Sequence, residues 1–146
     1  MTINDREILT VRYSTEENWY RKMPTSNWLC ILVDNDRHRR YLDEVIGKII
    51  NNDVCYVCTI GHSCEMTHDL VDEEIAFRNV DFEMQYLPKH HIMTIWHTDF
   101  DEGIWFAVYD AHHEEIQIDK VVVLDMTSGD EFDRINKLLT DLKSTG

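Results

Sequence analysis

An α/β fold is what this sequence predicts: a three-layer sandwich with a mainly parallel central sheet of four to five strands and helices on both faces. Three observations predict it. Apolar runs six or seven residues long end in turn residues, as strands covered on both faces do. Apolar residues at three- and four-residue spacing follow these runs, as on one face of a helix. From Trp28 onward the two patterns alternate, which calls for crossover connections and hence parallel pairing.

The elements follow in order. Residues 1–27 supply an N-terminal edge strand or flap, since Glu7 to Tyr13 alternate only weakly. Trp28 to Val33 is the first strong strand, preceded by Pro24 and stopped by Asp34-Asn35-Asp36. Tyr41, Leu42, Val45, Ile46, Ile49 and Ile50 mark a helix that Asn51-Asn52-Asp53 ends. Val54 to Ile60 is the next buried strand, rich in β-branched and aromatic residues, and Gly61 ends it. A helix carrying Met66, Leu70, Val71 and Phe77 comes next, and then, after Pro88, a strand over His91 to Trp96. Ile104, Trp105, Val108, Tyr109 and His112 suggest a further helix, with Gly103 and the aromatic density leaving a strand open. Lys120 to Leu124 is the clearest strand of all. Ser128 to Glu131 has capping-box spacing, and Phe132, Ile135, Leu138, Leu139 and Leu142 face the core from the closing helix.

The 146 residues suit a single domain, spanning residues 1–146, and no repeat or Pro/Gly/Ser linker divides them. No apolar run follows a basic start, so no secretory signal is expected, and nothing approaches the roughly 20 apolar residues of a membrane span. Four cysteines fit reduced thiols and a cytoplasmic address. Twenty-eight Asp and Glu against 14 Lys and Arg give a formal net charge of −14. That field repels phosphate backbones and anionic membranes, and it steers basic proteins toward the chain.

Cys55, Cys58, Cys64, His62 and His68 crowd one short stretch. Zinc ligation by Cys-x2-Cys needs a turn that brings both sulfurs to about 2.3 Å from the metal. Tyr56-Val57 favours a strand instead, on which residues three apart point to opposite faces, so no metal site is expected. Cys64 falls near a helix start, where the helix dipole lowers a thiol pKa, while Glu65 beside it raises it. The pairs His90-His91 and His112-His113 point apart on a regular element and fit solvated side chains. The run Arg37 to Arg40 fits an exposed helix start paired with nearby carboxylates.

In a parallel sheet, ligands bind at the carboxyl ends of the strands. Asp34, Asp36 and Asp125 fall there, and gathered carboxylates can hold Mg²⁺ for phosphoryl transfer. The stretch Ile31-Leu32-Val33-Asp34-Asn35-Asp36 resembles the first motif of haloacid-dehalogenase-type phosphatases. That resemblance implies Asp34 as nucleophile and Asp36 as acid/base. His38 replaces the threonine usual there, and Asp36 is equally suited to cap the helix behind it. No glycine-rich phosphate loop or nucleophile elbow is present, and no cofactor is expected.

Asp99, Asp101, Glu102, Trp105, Asp110, Glu114 and Glu115 form the other candidate, carboxylates interleaved with aromatics. Such a mixture suits a surface for a cationic protein: aromatics anchor, carboxylates steer and pair. The same aromatics also suit a core, with the carboxylates as its wet rim. Small size, strong acidity and a cytosolic address resemble, as a profile of the whole chain, the immunity proteins of bacterial toxin–immunity pairs. Among them the contact-dependent growth-inhibition type, diverse in sequence and fold, is the subclass that this profile resembles. The resemblance implies a non-enzymatic protein that occludes a basic toxin, with no direct contact to nucleic acid or membrane.

Overall fold

The computed structural model describes residues 1–80 and 85–145. Among these residues six strands form one sheet: β1 (Thr2–Ile3), β2 (Arg6–Arg12), β3 (Trp28–Asp34), β4 (Tyr56–Gly61), β5 (Met93–His97) and β6 (Lys120–Asp125). Their spatial order is β1-β2-β6-β3-β4-β5, with every pairing parallel except the antiparallel β1–β2 hairpin. Six strands replace the expected four to five, because the N-terminal segment contributes two. Asn4 and Asp5 both take left-handed φ angles (55° and 59°), which makes the two-residue turn whose twist matches that of a hairpin. Strand β2 then lies one place in from the edge, and β1 covers only its first two residues.

Helices cover both faces. On one, α1 (Leu42–Asn51) and α2 (Cys64–Val80) pack with Trp19 and Met23 against Trp28, Cys30 and Leu32. On the other, α3 (Phe100–Trp105) and α4 (Phe132–Thr145) pack against Leu29, Ile31, Val33 and Cys58. All seven residues of β3 are buried, which is why it reads as a continuous apolar run. The predicted face of α1 is the observed one: Leu42, Val45, Ile46, Ile49 and Ile50 are all buried. Each contributes about 1.5–3 kcal/mol by leaving water. The Trp28 indole N–H donates to Asn52 O at 2.8 Å and ties the end of α1 to β3.

Helix α2 departs from expectation. Only Cys64, Thr67 and Val71 are buried, while Met66 and Phe77 are exposed. It lies over the margin of the sheet, where only a narrow stripe finds anything to cover. The expected capping box does not form. Ser128 takes φ 58°, bonds the His38 ring at 2.7 Å, and leaves the Glu131 N–H to the Thr127 hydroxyl at 3.1 Å. Helix α3 runs on into a π turn over Phe106–Asp110, closed by the Ala111 N–H on Phe106 O at 2.8 Å. Among the described residues, no helix is long and apolar enough to cross a membrane.

Candidate functional site

Strand β3 leads into α1 on one face, and its neighbour β6 leads into α4 on the other. The crevice between such diverging exits is where open parallel sheets bind ligands. A cavity of about 550 Å³ opens beside the ends of β3 and β4 and against the start of α4, lined by Asp34, Asn35, His62, Asp99, Glu131 and Arg134 among others. Glycine is required at its floor: a Cβ on Gly61 would sit 2.1 Å from the Asp34 carbonyl oxygen, and φ there is +124°.

The three carboxylates predicted for phosphoryl transfer are not gathered in this crevice. Asp34 is buried and turned toward α2; it accepts the Asp36 N–H at 3.0 Å and the Thr67 hydroxyl at 3.3 Å. Asp125, on the opposite face, accepts the Thr127 N–H at 2.8 Å and hydroxyl at 2.6 Å. Asp36 takes the left-handed φ of 72°, accepts Ser63 Oγ at 3.0 Å and pairs with Arg39 at 3.4 Å. It does not cap α1, which begins only at Leu42. Among the described residues the one group of three potential metal ligands within 4.8 Å of one another is His68, Asp69 and Asp72 on α2. These already engage each other: His68 Nδ1 lies 3.1 Å from Asp69, and Nε2 lies 3.5 Å from Asp72.

The thiols are buried. Cys55 precedes β4 rather than belonging to it, so strand alternation does not separate it from Cys58, and both enter the core layer under α3 and α4. Burial pushes the Cys55 thiol up to about 11 and raises Cys30 and Cys58 well beyond the usual range. Cys64 is raised as well, with desolvation outweighing the backbone N–H groups of the helix start, so the expected activation by the helix is overcome. One histidine of each pair pins a loop, while His91 and His112 are exposed as expected. His113 Nδ1 accepts the Glu115 and Ile116 N–H groups, and His90 Nε2 lies 3.0 Å from Val54 O. The basic run behaves as expected: Arg37 pairs with Asp130 at 2.6 Å and Arg39 with Asp36.

The acidic-aromatic segment is divided among three places. Asp99 caps α3, accepting the Glu102 N–H at 3.0 Å, and borders the crevice beside Asp34. Asp101, Glu102 and Trp105 line a groove of about 310 Å³ between α3 and α4, together with Leu138, Asp141 and Leu142. Asp110, Glu114 and Glu115 line a third cleft of about 480 Å³ with Tyr56, Met93, Phe106 and three histidines. The aromatics divide too. Trp105 is 50% exposed, whereas Phe106 and Tyr109 pack against the core. Trp105 stacks on Tyr109 with ring centroids 5.9 Å apart, and the Tyr109 hydroxyl donates to Leu142 O at 3.1 Å.

The π turn that follows α3 is held by the N-terminal hairpin. Arg6 donates to Ala107 O at 2.7 Å and to Ala111 O, and Asn4 donates to Val108 O at 3.0 Å. These side chains satisfy carbonyls that the irregular end of the helix leaves over. Sequence reasoning missed the α4 wall. Leu138 and Leu142 carry the signal of a core stripe, and nothing in their spacing tells that the outer half of the stripe borders an open groove.

Comparisons with curated proteins and with solved structures return no match. Residues 8–142 match the family model described as Domain of unknown function (DUF7684), and the chain belongs to that family.

Proposed function

We propose that this chain is a non-enzymatic binding protein that docks a basic protein on the face built by α3 and α4. Within that class we read it as an immunity protein that neutralises a cognate basic toxin by covering its active or binding surface. The observation that carries the reading is Trp105: half exposed and stacked on Tyr109, it walls an apolar groove rimmed by Asp101, Glu102 and Asp141. A Lys or Arg of the partner fits such a groove, its stem along the indole and its charged head among the carboxylates. Arg134 pairs with Asp101 at 3.3 Å, but both side chains are more than half exposed, so a partner cation displaces it at little cost.

A small Mg²⁺-dependent phosphohydrolase at Asp34, Asp36 and Asp125 is the second reading. It draws on the crevice beside Asp34, and the separate engagements of the three carboxylates weigh against it.

Affinity capture from the native source at low salt tests the proposal. The expected catch is one basic protein in stoichiometric amount, lost with Asp101→Lys/Glu102→Lys bait. No basic partner, a catch indifferent to charge reversal, or Mg²⁺-dependent phosphomonoester turnover abolished by Asp34→Asn overturns it.

A further inference from the structure

We propose that the outer edge of β5 receives an extended, positively charged segment of a partner protein, which adds a strand to the sheet. This deepens the reading above, since it rests on a basic partner, but it lies apart from the Trp105 groove.

The sheet ends at β5, and among the described residues nothing pairs with its outer side. Met93 donates its N–H inward to Cys55 O at 3.0 Å. By the alternation of a strand, Ile95 and His97 also face inward, while Thr94 and Trp96 turn their N–H and C=O groups outward. Natural sheets blunt such edges with lysine, proline, a bulge or extreme shortness. At the opposite edge the two-residue β1 covers Arg6 and Glu7, and the rest of β2 ends in the cationic Arg12. Strand β5 has five residues without Lys or Pro, and its Met93 and Trp96 side chains are 39% and 38% exposed.

The charge beside this edge selects the occupant. Clefts of about 350 and 480 Å³ flank the start of β5 and meet at His91 and Met93. Asp72 borders the first, oriented by the Thr94 hydroxyl at 2.7 Å; Asp110, Glu114 and Glu115 border the second. Among the described residues no Lys or Arg lines either cleft. An added strand with Lys or Arg on both faces therefore meets carboxylates above and below, while its backbone satisfies the outward groups of Thr94 and Trp96. A second copy of this chain brings its own carboxylates against these and is disfavoured.

The probe is a short synthetic peptide of alternating Lys and Val, titrated into the whole chain with amide resonances and affinity as readouts. Binding should shift the Thr94 and Trp96 amides. N-methylation of alternate peptide residues, which keeps side chains and charge but removes strand donors, should weaken binding about tenfold or more. A Glu-Val peptide should not bind. Trp96→Pro should weaken binding well beyond Trp96→Ala, and the N-methylated arm decides the matter if the proline variant does not fold. Equal affinity for the N-methylated peptide, no binding of the Lys-Val peptide, or self-association through β5 in sedimentation overturns the inference. Shifts confined to the Trp105 groove and lost in Trp105→Ala would overturn it too, while leaving the proposed function standing. β5 pairing with no basic protein captured would overturn only the proposed function.

Discussion

Asp34 and Asp125 end neighbouring parallel strands, yet their carboxylates lie on opposite faces of the sheet. Asp125 stands in register with Val33, so Asp34, one residue further, points the other way. Each is held by the hydroxyl of a threonine on its own side, Thr67 for Asp34 and Thr127 for Asp125. Both carboxylates accept hydrogen bonds that hold the turns after their strands.

Asp34→Ala should therefore lower stability by about 1–3 kcal/mol, because the Asp36 N–H and the Thr67 hydroxyl lose a buried acceptor. Asp34→Asn, which keeps one oxygen, should cost less. Chemical denaturation of the two variants checks the order, and added Mg²⁺ should leave the wild-type midpoint unchanged.

The core thiols predict a stability that fails on the alkaline side. Unfolded thiols ionise near 9.0, whereas burial holds the protons on Cys30, Cys55 and Cys58 in the folded state. Above that pH the folded chain binds more protons than the unfolded one. Stability is full below about pH 9 and should fall above it by up to about 1.4 kcal/mol per thiol per pH unit. Tyr56, pushed up to about 12 by burial from an ordinary value of 10.0, steepens the loss further up. Denaturation midpoints from neutral to alkaline pH check this, and Cys30→Ala/Cys58→Ala should flatten the slope.

Arg6→Ala should destabilise by about 2–3 kcal/mol, since it strips the charged guanidinium donors from Ala107 O, at 2.7 Å, and from Ala111 O. The loss should show first in the α3 turn. Hydrogen exchange of the 106–111 amides should quicken while that of β3 and β6 stays slow.

The central strands β3, β4 and β6 were legible because burial on both faces writes itself as apolar runs. Trp28 to Asp34 and Lys120 to Asp125 are the plain cases. Strand order was not legible. Parallel strands are joined by long crossovers, and nothing in Lys120 to Asp125 tells that β6 inserts between β2 and β3. The acidic segment was legible as charge but not as shape. A π turn separates Trp105 from Asp110, so carboxylates adjacent in sequence border different clefts. The choice between Ser128 and Thr127 as cap depended on a left-handed backbone at Ser128, which two adjacent hydroxyl residues do not announce.

The groove between α3 and α4 is tested most directly by Trp105→Ala, titrated against the basic partner beside the wild-type chain. Because Trp105 is half exposed, its loss should shift unfolding by no more than about 1 kcal/mol. Affinity for the partner should fall at least tenfold, and the wild-type affinity should weaken steeply with salt. An unchanged affinity in a folded Trp105→Ala protein would contradict the account.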